Sequence, residues 1–203
     1  AGWKWVKLDD VSQLRQIGLV RAAAQQDEDK EFPYLKMNNI TRDGKLDFST
    51  STKVDASIDE ANLFRLQNGD FLFNTRNSRE LVGKTALFDA HDGEWLFNNN
   101  IMRIRFTESV EPRFINFIFL GAFVQQQLEN YKANTTNICA IYDRQVRAIS
   151  IPLPPLEEQE RIASELADKI AGVKLAEASI QQELDTIEAM PAALLRKAFS
   201  GGL

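Results

Sequence analysis

Apolar and polar positions follow two rhythms along this chain, and the change comes at a cluster of prolines. Near the start, "WKWVKL" alternates apolar and polar residues, the period of a half-buried strand. "ANLFRLQNGDFLFNTR" holds a turn at Asn68, Gly69 and Asp70, and Phe71, Leu72 and Phe73 then predict a buried strand. "VGKTALF" reads as another strand. "NNIMRIRF" reads as a third, with Ile101, Ile104 and Phe106 supplying the alternation around Met102. "EPRFINFIFLGAFVQQQLENY" predicts one helix. Pro112 suits its first turn, and Phe114, Phe117, Ile118, Gly121 and Val124 form its stripe. "VRAISIPLP" closes this mixed region as a strand. No internal repeat or low-complexity segment interrupts it.

After Pro155 the period lengthens. Pro154 and Pro155 cannot sit inside a helix but can begin one, and Glu157, Glu158 and Glu160 place negative charge on its first turns. Leu166, Val173, Ile180, Ile187 and Leu194 then recur every seven residues, with Ile162, Ile170 and Leu184 on the same face. That is a heptad seam, and these eight residues are the candidate helix-pairing positions. Pro191 is expected to break or kink the helix, "AALLRKAF" to resume it, and Ser200, Gly201 and Gly202 to stop it. The fold class expected is α+β: a mixed α/β domain over residues 1–152, then a helical region over 153–203 that forms a coiled coil. A seam this long either folds back over its own domain or pairs with a second helix of the same kind.

The 203 residues suffice for one globular domain plus an appendage, and no run of eighteen apolar residues exists to span a membrane. Ala1 and Gly2 stand where an initiator Met would, as in a cut or tagged chain. One cysteine, Cys139, excludes an internal disulfide, and one histidine, His91, leaves too few ligands for a zinc site. Both are expected to be structural, in a reducing, cytoplasmic setting. The net charge of −5 argues against nucleic acid until it is divided. Residues 1–150 hold 19 basic and 20 acidic side chains, whereas 151–203 hold 5 and 9. The acidity belongs mostly to the helix, which leaves the domain free to present a basic face.

Catalytic patterns are missing. "SRELVGKT" ends like a phosphate loop but carries Ser78 where the first glycine is required. "IPLPP" lacks the amide of an adenine methyltransferase motif, and "HDGEW" is followed by no lysine at nuclease spacing. A single histidine leaves triad chemistry without support. The chain reads as non-catalytic, with no cofactor.

Three polar loops carry recognition chemistry instead. "NTRNSRELVGK" sets Asn74, Thr75, Arg76, Asn77, Ser78 and Arg79 directly after a buried strand, with Lys84 placed to hold phosphates. Arginine pairs with guanine, asparagine with adenine, and serine or threonine with either. "PYLKMNNITRDGK" adds Tyr34, Lys36, Asn38, Asn39 and Arg42, and "YKANTTNICAIYDRQVR" adds Lys132, Asn134, Thr135, Thr136 and Asn137. Such residues are also those of ordinary polar surface loops, and composition alone does not bring the three together in space. A coiled-coil scaffold that never touches DNA is therefore the rival reading.

The stretches "ISIPLPPLEEQERIASELADKI", "NGDFLFNTRNSRELVGKTALF", "YLKMNNITRDGKLDF", "NNNIMRIRF" and "LLRKAFSGGL" cover nearly the whole chain. In them the chain resembles half of a specificity subunit of type I restriction–modification enzymes. That resemblance implies a target-recognition domain reading one half of a bipartite site in double-stranded DNA. It also implies a helix that pairs antiparallel with its counterpart and sets the distance between half-sites. Methyltransferase and restriction subunits dock on that frame and supply the S-adenosylmethionine and ATP chemistry. A full subunit has two domains and two helices. This chain is thus expected to be either the C-terminal half of a longer one or a natural half that homodimerises, and a symmetric pair would read a palindromic split site.

Overall fold

A computed structural model describes residues 2–89, 93–132 and 138–200. In chain order the elements begin with β1 (Lys4–Lys7), α1 (Leu8–Val11), β2 (Ser12–Ile17), β3 (Gln26–Asp27), β4 (Phe32–Leu35) and β5 (Thr52–Val54). Next come α2 (Ile58–Phe64), β6 (Phe71–Asn74), β7 (Arg76–Asn77), β8 (Thr85–Leu87), β9 (Leu96–Phe97) and β10 (Ile101–Phe106). The last are α3 (Pro112–Leu120), α4 (Ala122–Tyr131), β11 (Cys139–Ala140), α5 (Asp143–Arg147), β12 (Ser150–Leu153) and α6 (Leu156–Phe199). Two compact units result, residues 1–160 and 161–203.

The first unit is α+β. An antiparallel sheet in the order β2-β10-β6-β8 forms its centre, with Met102 opposite both Ile17 and Phe73. The second sheet, β3-β5-β4-β9, is antiparallel except where β4 and β9 run parallel. Two short ribbons, β1-β12 and β7-β11, complete the unit. Helix α3 lays Phe119 against Phe71 and Phe73, with ring centroids 5.0 and 6.1 Å apart. Each buried ring of this kind contributes about 1.5–3 kcal/mol. Gly18 ends β2 where no side chain fits, since a Cβ would lie 2.3 Å from the carbonyl oxygens of Phe97 and Asn98.

Two sequence expectations for this unit are corrected. The helix predicted over "EPRFINFIFLGAFVQQQLENY" is two helices, because Gly121 adopts extended backbone (φ −73°, ψ 149°), ending α3 and capping α4. The buried face is Phe114, Ile115, Phe119, Val124 and Leu128, whereas Phe117 and Ile118 are only half-buried. β10 does not alternate either. It is central in its sheet, so Ile101, Met102, Arg103 and Ile104 are all buried. Arg103 survives there because its guanidinium donates to the Arg65 and Leu63 carbonyls and to Gln16, beside Asp70. Asp70 in turn accepts from Arg105 at 2.5 and 3.1 Å.

The proline step leads directly into α6. Pro154 is buried, and the Pro155 carbonyl accepts from the Glu158 and Gln159 amides at 3.0 and 3.1 Å. Gln159, 0% exposed, fastens this first turn to the domain. Its Nε2 donates to the carbonyls of Ser109 and Pro154, and its Oε1 accepts from the Glu111 amide. Pro191 lies inside α6 instead of ending it. Proline removes one N–H from the ladder, and the helix continues on the bonds either side. Leu166, Val173, Ile180, Leu184, Ile187 and Leu194 are 36–60% exposed, while Ile162 and Ile170 are half-buried. No helix among the described residues is long and apolar enough to cross a membrane.

Candidate nucleic-acid interface

The polar segments meet. β7 pairs antiparallel with β11, setting Arg76 opposite Ala140 and Asn77 opposite Cys139, and the Ile141 amide donates to the Thr75 carbonyl. Lys84 reaches from the 74–84 segment to the 33–45 segment, donating to the carbonyls of Met37 (3.1 Å) and Ile40. Arg79 reaches the other way, to the Lys132 carbonyl and the Glu129 carboxylate. The turn at Asn98, Asn99 and Asn100 joins them, because the Asn100 carbonyl accepts from the Thr75 amide, the Thr75 hydroxyl and the Asn74 amide group. Segments near 37–50, 74–84, 98–100 and 138–142 therefore share one region of the first unit.

The 37–50 segment is pinned from beneath. Asn39 is buried and donates to the carbonyls of Asp47 and Thr50, both at 2.8 Å, while its own oxygen accepts from the Lys36 amide. Asn116, buried on α3, donates to the Gly44 carbonyl at 2.8 Å and accepts from Thr85 at 3.0 Å. These bonds leave Asn38, Arg42 and Lys45 exposed along a loop whose backbone is fixed.

Several candidate contacts prove to be internal. Tyr34 is 1% exposed, and its hydroxyl donates to the Leu19 carbonyl at 2.5 Å, so its ring belongs to the core and stacks on no base. Burial pushes its pKa up to about 12. Asn74 is buried too, donating to the carbonyls of Arg76 and Asn100 and accepting from Asn77. Thr75 is buried on the Asn100 carbonyl. Lys84 is spent on two carbonyls. Burial, then the nearby Arg42 charge, holds its ammonium below the ordinary lysine value, and it bridges two loops. Lys36 is half-buried and donates to Gln26.

Other candidates remain at the surface. Asn38, Arg76, Ser78 and Arg79 are exposed, and Asn77 and Lys132 are half-buried. Glu129 lies between Lys132 (2.9 Å) and Arg79, and these two hydrogen bonds, Lys132 first, hold its carboxyl below the usual range. Arg42 faces Glu80 at 3.4 Å. Arg42, Lys84 and Lys132 line a polar recess of about 210 Å³, together with Glu80 and Gln125. Asn134 and Thr135, with Thr136, Asn137 and His91, lie outside the described residues. Cys139 is buried on β11. The sequence reading passed over Asn99 and Tyr142. Their signal is slight: one amide in the run "NNN" and one aromatic after "CAI".

A family model described as type I restriction modification DNA specificity domain matches residues 1–186. The putative type I restriction enzyme MjaX specificity subunit of Methanocaldococcus jannaschii is 28% identical over 207 residues, covering 99% of this chain and 46% of that protein. The EcoKI specificity subunit of Escherichia coli is 26% identical over 173 residues, covering 84% and 37%. A chain solved in work on complex assembly and conformational transition of the type I R-M system is 25% identical, with a TM-score of 0.69, covering all of this chain and 47% of its own length. The fold is also that of the HsdS subunit from Thermoanaerobacter tengcongensis, at TM-score 0.61 and 24% identity, covering all of this chain and 46% of that one. The chain spans about half the length of the curated relatives it matches.

Proposed function

Because this chain belongs to the type I restriction modification DNA specificity domain family, we propose that it recognises one half of a bipartite DNA target and carries no catalysis of its own. Residues 1–152 are the reading domain and residues 153–203 the spacer. The observation that carries this reading is the convergence of the polar segments, tied by the β7-β11 ribbon and by Lys84 and Arg79. Convergence matters because a duplex is read by several side chains held in fixed register, with backbone contacts placing those that touch base edges.

Helix α6 supplies the distance. Its 44 residues measure about 66 Å at 1.5 Å per residue. An exposed heptad seam is stable only against another helix, here that of a second copy or of the other half of a longer subunit. The ends of α6 favour an antiparallel mate, with Glu157 and Glu158 at one end and Arg196 and Lys197 at the other. Methyltransferase and restriction subunits, bound to this frame in the cytoplasm, perform methyl transfer and cleavage.

Genome-wide mapping of methylated adenine in cells with and without this chain tests the proposal, with the partner subunits expressed in both. A split adenine-methylation motif is expected only with the chain. An identical methylation pattern in both strains would reject it and leave a helix-pairing scaffold as the better account.

A further inference from the structure

A second recess lies beside the β7-β11 ribbon. It encloses about 290 Å³, with Arg76, Asn99 and Tyr142 among its lining and Ile17, Met102 and Ile141 as its apolar part. Nothing in the sequence links these six positions. β7, the 98–100 turn, the N-cap of α5 and the neighbouring strands β2 and β10 bring them together.

Arg76 differs from the other cations of this surface. Arg79 and Lys132 meet Glu129, Arg42 meets Glu80, and Lys84 is held by carbonyls. Among the described residues the Arg76 guanidinium has no hydrogen bond or ion pair, although its backbone is fixed opposite Ala140. Tyr142 is 63% exposed on a backbone held by Gln145, which accepts from the Tyr142 amide at 2.8 Å. The one carboxylate at the recess, Asp143, is already neutralised by Arg15 at 3.0 Å and Arg147 at 4.0 Å. An unspent planar fork of donors, an amide and a phenol thus stand around an apolar patch on a rigid frame.

We infer that this recess reads base edges, resting on the proposed function above: Arg76 pairs with O6 and N7 of a guanine, and the apolar patch takes the methyl of a neighbouring thymine. Arginine is suited to that guanine edge because its two parallel N–H groups match two acceptors, whereas lysine offers a point charge. Asn99 and Tyr142 flank the patch as secondary donors. The expected discrimination at the guanine position is roughly tenfold to a hundredfold.

The test selects bound sequences from a duplex library with a randomised stretch, using the full chain and its Arg76→Ala, Arg76→Lys and Tyr142→Ala variants. Thermal melting of each variant confirms folding. Wild type is expected to yield a motif containing one guanine. Arg76→Ala and Arg76→Lys lose the preference at that position and keep the rest, and Arg76→Lys retains the overall affinity. Tyr142→Ala weakens preference at the adjacent position. The same motif from every variant overturns the inference while leaving the proposed function standing. Full restoration of the motif by lysine also overturns it, since Arg76 would then act only as a charge near phosphate. Loss of methyltransferase-subunit binding in Tyr142→Ala with the motif unchanged makes the recess a protein-docking site, again against the inference. A wild-type chain that selects no motif removes the reading beneath it.

Discussion

Tyr34 shows how a residue suited to recognition is consumed by the fold. Its ring lies in the cluster of Leu19, Phe32, Val54 and Leu96, and its hydroxyl is satisfied by a carbonyl. The neutral phenol is favoured in the folded state, so its pKa rises from 10.0 to about 12. The stabilisation is complete below pH 10 and is lost as pH rises through about 12, because only the unfolded chain ionises this phenol in that window. The unfolding midpoint of the wild type is therefore expected to fall between pH 10 and 12, and Tyr34→Phe to fall less steeply. Urea titrations across that range measure the difference. Equal slopes would show that Tyr34 is not held neutral by its surroundings. Asn74 follows the same logic, since a buried polar group must spend its hydrogen bonds internally, and half-buried Lys84 donates to two carbonyls in the same way.

The secondary-structure elements divide by what covers them. β10 buries four successive residues, Ile101 to Ile104, and Arg103 is tolerated among them through its carbonyl partners. Helix α6 is the opposite case, with Val173, Ile180 and Ile187 each more than half exposed. Each buried isoleucine contributes about 1.5–3 kcal/mol, so Ile180→Asp, acting on both members of a pair, is expected to weaken association by two to four orders of magnitude. Sedimentation equilibrium over a concentration series reads the loss, while the melting of the first unit stays unchanged. Association untouched by Ile180→Asp would mean that the seam is not the pairing face.

Assembly adds a length to this chemistry. If two α6 helices pair antiparallel, seven residues inserted in register keep the seam and lengthen each helix by about 10 Å. At about 3.4 Å per base pair, the gap between half-sites should widen by about three pairs while the half-sites keep their sequence. Methylation mapping with the lengthened chain reads this directly. An unchanged gap, or altered half-sites, would show that the helix does not set the spacing.

Residue order made α6, its acidic start and its heptad spacing legible, as it did the presence of strands at Lys4–Lys7, Phe71–Asn74 and Ile101–Phe106. These features depend on neighbours a few positions away, and local propensity and repeat length carry them. The break at Gly121 is also local, but an unbroken apolar stripe masked it. Which polar side chains face outward was decided elsewhere. Tyr34, Asn74, Thr75 and Lys84 look like readers in a linear text, and long-range packing turned them inward to satisfy distant carbonyls. The joining of Arg76, Asn99 and Tyr142 around one recess likewise needed β7 to pair with a strand some sixty residues later. Such contacts leave no trace in spacing or composition, because they arise only when the whole domain has closed around its core.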